Sequence, residues 1–201
     1  MIFVRETALY AAEKRSDPIL ERKKFLAAAG AFVPIEWEAI PDLGLYMDQV
    51  VTYVATALAP LYGEEPKDLL TSSMVNNYVK QSLLPRPQGK KYYREHLAML
   101  LMITSLKRTM AMDEIKRLFD VMVPDRRACY ETFAACQKSL TAALAGARED
   151  CRAEAVLQKA IYVALLRLEC LSMLETLYDR NCAADEEKSA EKKRRREKGE
   201  E

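Results

Sequence analysis

Amide and hydroxyl side chains are concentrated in one short stretch of this 201-residue chain. Residues 72–82 read Ser-Ser-Met-Val-Asn-Asn-Tyr-Val-Lys-Gln-Ser. Asparagine inside a helix costs roughly half a kcal/mol relative to alanine, so a merely solvated helix face seldom carries two in a row. Asparagine and glutamine amides pair bidentately with adenine in the major groove of DNA. The chemistry predicted for this stretch is recognition of base edges.

The same stretch has the spacing of a single amphipathic helix. A hydroxyl of Thr71 or Ser72 can cap its N-terminus, and Pro85 stops it about three turns later. At about 100° per residue, the apolar side chains fall on one side of this helix and the polar side chains on the other. The predicted base-reading residues are Ser73, Asn76, Asn77, Lys80 and Gln81.

A basic turn is predicted directly after this helix. Pro85 and Pro87 disfavour regular structure, Gly89 permits a tight turn, and residues 90–93 have the aromatic character of a short strand. A hairpin here would bring cations to the DNA phosphates beside the helix. The predicted phosphate-contacting residues are Arg86, Lys90, Lys91 and Arg94. The alternative interpretation is a solvated helix and loop on a protein-binding domain.

The helix and turn together resemble the MerR-type winged helix-turn-helix. Its pattern is Thr-Leu-Arg-Tyr-Tyr-Glu-Lys-x-Gly-Leu-Leu-Pro, followed by Gly-Tyr-Arg-x-Tyr in the wing. Asn76 and Lys91 stand where this pattern has arginine, and Ser82 stands where it has glycine. The matching positions are Tyr78, Lys80, Leu83, Leu84, Pro85, Gly89 and Tyr93.

A closer resemblance is to a little-characterised bacterial family of MerR-like proteins with Asn-Asn-Tyr-Val-Lys and Lys-Lys-Tyr signatures. The segment from Leu45 to Gln49 belongs to the same resemblance, which covers the chain from Leu45 to Met122. It implies a bacterial, cytoplasmic transcriptional regulator that binds double-stranded DNA and joins the nucleoid when bound. It also implies a homodimer, and it names neither a target gene nor an effector ligand.

The charge distribution is consistent with a polyanion surface. Residues 66–117 hold ten lysines and arginines against four acids, a net charge of +6. The whole chain carries +1, which leaves −5 outside that segment. Segregation of this kind favours a DNA-contacting region on an otherwise acidic protein.

The predicted fold is mainly α, with a MerR-like winged helix-turn-helix and a small β-hairpin wing over residues 45–123. An N-terminal helical cover occupies residues 1–44, a C-terminal helical hairpin residues 124–182, and a disordered charged tail residues 183–201. The supporting helix would run from Tyr46 to Ala59 and end at Pro60. The linker that follows exceeds the usual three or four residues. Either Pro66 to Leu70 forms a helical turn of its own, or a different helix gives the support.

A long helix is predicted from Arg152 to Tyr178, with apolar residues at alternating spacings of four and three. This pattern is typical of a seam between helices, and the face is wider than the helix predicted over residues 125–145 can cover. We favour a two-fold dimer seam over an intramolecular core closed with the N-terminal helix. The predicted seam consists of Leu157, Ile161, Ala164, Leu168 and Leu171.

Catalytic chemistry is poorly represented. His96 is the only histidine, so one chain cannot assemble a Ser-His-Asp, Cys-His or multi-histidine metal site. We expect His96 at a helix N-terminus, near phosphate or solvent. The six glycines form no phosphate cradle. We therefore predict no enzyme, no catalytic residue, no metal ligand and no cofactor.

Cysteines and hydropathy bear on the compartment. Five cysteines without a Cys-x-x-Cys pair or a secretory signal favour a reducing cytoplasm. No apolar run approaches the roughly 20 residues that span a membrane, so no membrane partner is predicted. Cys129 and Cys136 lie seven residues apart on one predicted helix. Thiol sensing and small-residue packing are both open interpretations of this pair.

Overall fold

Seven α-helices and one 3-10 turn make up the part of the chain that the structure describes. It is a computed structural model covering residues 18–62, 69–122, 125–145 and 153–197. The helices are α1 (Pro18–Ala31), α2 (Met47–Tyr62), α3 (Ser72–Lys80), α4 (Arg94–Leu106), α5 (Met112–Val121), α6 (Arg126–Ala145) and α7 (Ala153–Glu197), with the 3-10 turn at Trp37–Ala39. The predicted mainly α class is confirmed.

The core is built around α4. Nine consecutive residues of this helix, His96 to Thr104, are buried. Burial on every side requires neighbouring elements around the helix, and α2 and α6 pack against α4. The helix α1 covers α6 and α2 in turn.

The helix α6, which begins just beyond the predicted domain boundary at residues 123–124, packs against this core. The side chains of Cys129 and Tyr130 are buried. The Tyr130 hydroxyl donates to the Ile35 carbonyl at 2.7 Å, and its ring centroid lies 6.0 Å from that of Trp37. Desolvation raises the pKa of this phenol. The sequence pattern separated α6 from the core because contacts that span 95 residues leave no local trace.

The helix α2 continues through Pro60 to Tyr62, so the prediction that Pro60 ends it is wrong. A proline removes one backbone donor, which is a limited loss so near a helix end. Burial of Leu61 compensates for it. The helical turn considered for Pro66 to Leu70 falls mostly on residues outside the described ranges.

The helix α7 contains 45 residues and is about 67 Å long. It runs on to Glu197, into the segment of residues 183–201 for which a disordered tail is predicted. Residues 183–197 contain neither glycine nor proline and are rich in alanine, glutamate, lysine and arginine, all strong helix formers. None of the helices in the described ranges is long and apolar enough to span a membrane.

Candidate nucleic-acid interface

The helix α3 is fixed at its N-terminus as predicted. Thr71 is the N-cap residue, and its hydroxyl oxygen accepts a hydrogen bond from the Met74 backbone N–H at 3.2 Å. Val75 and Tyr78 bury the apolar side of the helix. The neighbouring α2 packs against α3. The helix α3 is therefore held by a cap and by the core.

The C-terminus of α3 closes in a Schellman motif, and the helix ends at Lys80 rather than at residue 82. The Leu83 N–H donates to the Tyr78 carbonyl at 2.9 Å, and the Ser82 N–H donates to the Val79 carbonyl at 3.1 Å. Ser82 has a φ of 57°, in the left-handed region that favours glycine. This is the position at which the MerR pattern has glycine.

All five predicted base-reading residues are exposed on one face of this helix and its C-terminal cap. Among the residues that the structure describes, none covers that face. The residues are Ser73, Asn76, Asn77, Lys80 and Gln81. Sequence periodicity alone was sufficient to place these five residues on one exposed face.

The predicted β-hairpin wing is replaced by a reverse turn. Gly89 and Lys90 both have positive φ, 56° and 65°, and Gln88 and Lys91 exchange two backbone hydrogen bonds of 3.0 Å. Tyr92 pairs instead with Leu45, through two bonds of 2.9 Å. Proline at 85 and 87 supplies no N–H donors, so the pairing cannot extend along the turn. The described residues contain only these two isolated bridges and no strand.

The four predicted phosphate-contacting residues have different surroundings. Arg86 and Lys90 are exposed. Lys91 is half-buried, with its Nζ 5.5 Å from the centroid of the Tyr46 ring. Its stem lies against Gly44, where a Cβ atom would come within 2.7 Å of the Lys91 Cδ. Lys91 is therefore partly engaged within the protein.

The Arg94 side chain contacts other parts of the protein. Its Nε donates to the Ile40 carbonyl at 2.9 Å. Its guanidinium also pairs with Glu38 at 3.3 Å and Asp42 at 3.9 Å. These partners lie more than 50 residues earlier in the chain, which is why sequence spacing around Arg94 did not reveal them. The Arg94 guanidinium is therefore engaged within the protein.

His96 lies in the first turn of α4, as expected, but its side chain is buried and not exposed to solvent. The Tyr93 N–H donates to its Nδ1 at 3.2 Å. The other ring nitrogen, Nε2, therefore carries the proton and donates to the Arg86 carbonyl at 3.3 Å. Its ring is buried and meets the Tyr92 ring edge-on, with the centroids 5.5 Å apart.

Arg126 is a cation near the end of α3 that the sequence pattern does not indicate. It is the first residue of α6 and lines a cavity of about 430 Å³ with Lys80 and Arg86. The remaining lining residues are uncharged. Only the three-dimensional packing of α6 brings Arg126 to the end of α3.

Comparison with known families adds one assignment. Residues 35–135 match a domain described as a domain of unknown function, DUF1836. The chain belongs to the DUF1836 family. The matched segment begins just before the 3-10 turn, contains α2 to α5 and ends within α6. No curated protein and no solved structure matches the chain.

The helix α7 lies outside the DUF1836 match and docks on α5 through one narrow strip. Arg167 forms two hydrogen bonds to the Glu114 carboxylate, at 3.1 and 3.2 Å, and also donates to the Thr109 carbonyl. Leu174 is buried in the same strip, and the Tyr178 ring lies 6.0 Å from the Arg117 guanidinium. The Arg167 hydrogen bond is the main reason that the pKa of Glu114 lies below its usual value.

The predicted seam is mostly exposed on α7. Leu157, Ile161 and Leu168 are 62%, 53% and 64% exposed, and Ala164 is exposed too. Leu171 differs, because it is half-buried and lines a groove between α7 and the α4–α5 connection. The described helices therefore do not close the seam into an intramolecular core.

The two cysteines singled out by their spacing lie in different environments. The Cys129 thiol is buried beside the sulfurs of Met122, at 3.6 Å, and Met102, at 4.0 Å. Its burial raises the pKa of the thiol. Cys136 is exposed. In the described ranges, no three His, Cys, Asp or Glu side chains are grouped to hold a metal ion.

Proposed function

We propose that this DUF1836 protein is a DNA-binding transcriptional regulator. The amide-rich face of α3 enters the major groove, and Asn77 reads a base edge there. Arg86 and Lys90 on the turn contact phosphates beside the groove. The protein acts as a homodimer joined through α7.

The observation that carries the proposal is the uncovered amide face of a firmly held helix. A helix whose side chains recognise bases should be ordered before it meets the DNA, because ordering a mobile helix on binding would reduce the affinity. The Thr71 cap, the buried Val75 and Tyr78 and the C-terminal Schellman motif provide that rigidity. The resemblance to the MerR pattern supports the same function.

Local charge supports the proposal as well. Lys80, Arg86 and Lys90 are exposed, and no ion pair joins them to an acid in the described ranges. Such cations release condensed counterions when they contact DNA phosphates. Arg94 and Arg127 differ, because their guanidinium groups pair with Glu38.

The homodimer follows from the nature of the α7 surface. Full burial of a leucine or isoleucine side chain is worth about 1.5–3 kcal/mol, and more than half of the surface of Leu157, Ile161 and Leu168 is exposed in one chain. A second copy offers the same apolar stripe and buries both. Two reading helices would then recognise two half-sites, which gives more specificity than one short helix can.

The test is the replacement Asn77→Ala, measured on a site selected from random duplexes with the wild-type protein. We expect the affinity for that site to fall by about 1–3 kcal/mol while affinity for random duplex stays nearly unchanged. Asn181→Ala, an exposed asparagine on α7, is the matched control and should change neither affinity. Equal losses on both duplexes would remove Asn77 from base reading. A wild-type protein without salt-dependent duplex binding would refute the function itself.

One observation favours a second candidate, an all-α protein-interaction module that does not bind DNA. Ten large hydrophobic side chains of α7 are exposed, and the groove beside Leu171 has a volume of about 620 Å³. Exposed apolar patches of this kind mark protein interfaces. This candidate would be established if the protein bound another protein through α7 and showed no binding to duplex DNA at low salt.

A further inference from the structure

The cavity lined by Lys80, Arg86 and Arg126 brings three separate elements of the chain together. Lys80 is the last residue of α3, Arg86 belongs to the turn, and Arg126 begins α6. The other lining residues are Val79, Ser82, Leu83, Leu84 and Pro85, so no carboxylate lies among them. The cavity is therefore a concave, cationic surface at the C-terminal end of the reading helix.

The three cations are available to a ligand. Lys80 and Arg86 are exposed and Arg126 is half-buried. None of the three forms an ion pair with any residue that the structure describes. Three unpaired cations around one concavity repel one another, and an anion at the centre removes that repulsion. The chemistry of the site thus points to an anion.

The side chains that line the cavity can bind the oxygens of a phosphodiester. Two of the three cations are arginines, whose planar forks bind phosphate oxygens bidentately. Uncharged side chains and backbone make up the rest of the wall. A volume of about 430 Å³ admits the phosphate and part of the attached sugar.

We propose that this cavity holds one backbone phosphate of the bound DNA strand, and that Arg126 is a DNA-contacting residue supplied by α6. This inference rests on the proposed function and adds a third element to the interface. A phosphate fixed beside the end of α3 would set how deeply and at what register that helix sits in the groove. Base choice would remain with the amide face.

The experiment compares Arg126→Gln with its neighbour Arg127→Gln. Arg127 carries the same charge, but its guanidinium pairs with Glu38 and Glu131, each at 2.8 Å. Binding to the selected duplex and to random duplex is measured over a series of salt concentrations. For Arg126→Gln we expect the slope of log affinity against log salt to be smaller by about one on both duplexes, with base preference unchanged. For Arg127→Gln we expect the wild-type slope.

Arg126→Lys separates a charge contact from a loss of folding. It keeps the charge and loses the fork, so it should retain the wild-type slope with a lower affinity at every salt concentration. An Arg126→Gln slope equal to wild type, in a protein that still binds DNA, overturns the phosphate site and leaves the proposed function standing. Absence of duplex binding by the wild type overturns both together.

Titration with inorganic phosphate tests whether the cavity binds a free phosphate ion instead of a DNA phosphate. Calorimetric titration of the wild type with inorganic phosphate should give no saturable binding in the low millimolar range, because the open cavity relies on the rest of the DNA contacts. Saturable binding that Arg126→Gln abolishes, combined with an unchanged salt slope on DNA, would reassign the cavity to a free phosphate ligand. That result would overturn the inference.

Discussion

Two exposed helical faces, one on α3 and one on α7, differ in what their exposure costs. The face of α3 carries amides, a hydroxyl and one lysine, all of which water solvates well. The face of α7 carries leucine, isoleucine and valine side chains that are more than half exposed. Apolar surface in water is unfavourable in proportion to its area. Exposure of the α3 face therefore costs little free energy, whereas exposure of the α7 face is unfavourable.

The helix α3 is also anchored more firmly than α7. The core surrounds the buried side of α3, and hydrogen bonds close both of its ends. The helix α7 is attached mainly by Arg167, Leu174 and Tyr178 along a single strip on α5. The helix α3 is thus preorganised within one chain, whereas α7 is held along a single strip.

The largest effect is expected at the α7 seam. Leu157→Glu combined with Leu168→Glu should give folded monomers whose dimer dissociation constant is raised by more than about 100-fold, since two charges per chain would be buried without partners. Sedimentation over a range of protein concentrations measures this. Leu171 is spared, because it faces the groove beside α5 and its replacement would disturb the fold.

Tyr162→Glu combined with Met173→Glu is the matched control for the seam. These residues are as exposed as the seam, at 62% and 59%, but they project from the far side of the helix. We expect this variant to remain dimeric. Dissociation of the control with equal ease would show that the interface follows another face of α7. Monomeric wild-type protein at tens of micromolar would end the proposal of a dimer.

Local rules in the sequence were sufficient for α3 and its face. The Thr71 cap, the apolar spacing and Pro85 all act within a dozen residues, so they can be read directly from the sequence. The surroundings of the Arg94 and Arg126 side chains depend on packing between distant segments of the chain. Arg94 meets Glu38, 56 residues earlier, and Arg126 reaches the end of α3 from another helix. Residue type at those two positions predicts a cation and says nothing about its partner.

The sequence pattern and the structure differ at two places in the C-terminal half, around Cys129 and after residue 182. Cys129 and Tyr130 are core residues, although the pattern around them indicated a separate helical region. Residues 183–197 lack an apolar period, which favours disorder, yet their high helix propensity continues α7 to Glu197. Apolar periodicity reports burial, and a helix without burial leaves no such period.

The next effect concerns how firmly α3 is held. Ser82→Gly should stabilise the protein by about 1 kcal/mol, because a non-glycine residue in the left-handed region costs about that much. Thermal melting or urea titration measures the gain. Ser105→Gly, within the right-handed helix α4, is the contrasting variant and should lower stability. Destabilisation by Ser82→Gly would mean that the serine side chain contributes more than its backbone strain costs.

The smallest effect is expected at the junction of α5 and α7. The Arg167 hydrogen bond, supported by the Ala111 N–H, keeps the pKa of Glu114 below its usual value. A carboxyl whose folded-state pKa is depressed stabilises the fold above its unfolded-state pKa of about 4.3, and that contribution is lost as pH falls through the folded-state pKa. Glu114→Gln should therefore lower stability at pH 6, by about 1 kcal/mol or less, because Arg167 is partly exposed.

This difference between wild type and Glu114→Gln should shrink as the pH falls from about 5 towards 3, because the wild-type carboxylate is protonated there. Melting temperatures of both proteins across that range measure it. Glu169→Gln, at an exposed position on α7, is the control and should show no such convergence. If the gap between wild type and Glu114→Gln stayed constant with pH, the Glu114 charge would not hold α7 on α5. The narrow strip would then depend on Leu174 and the apolar contacts around it, and α7 would be attached by the same kind of contact that its exposed face offers to a second chain.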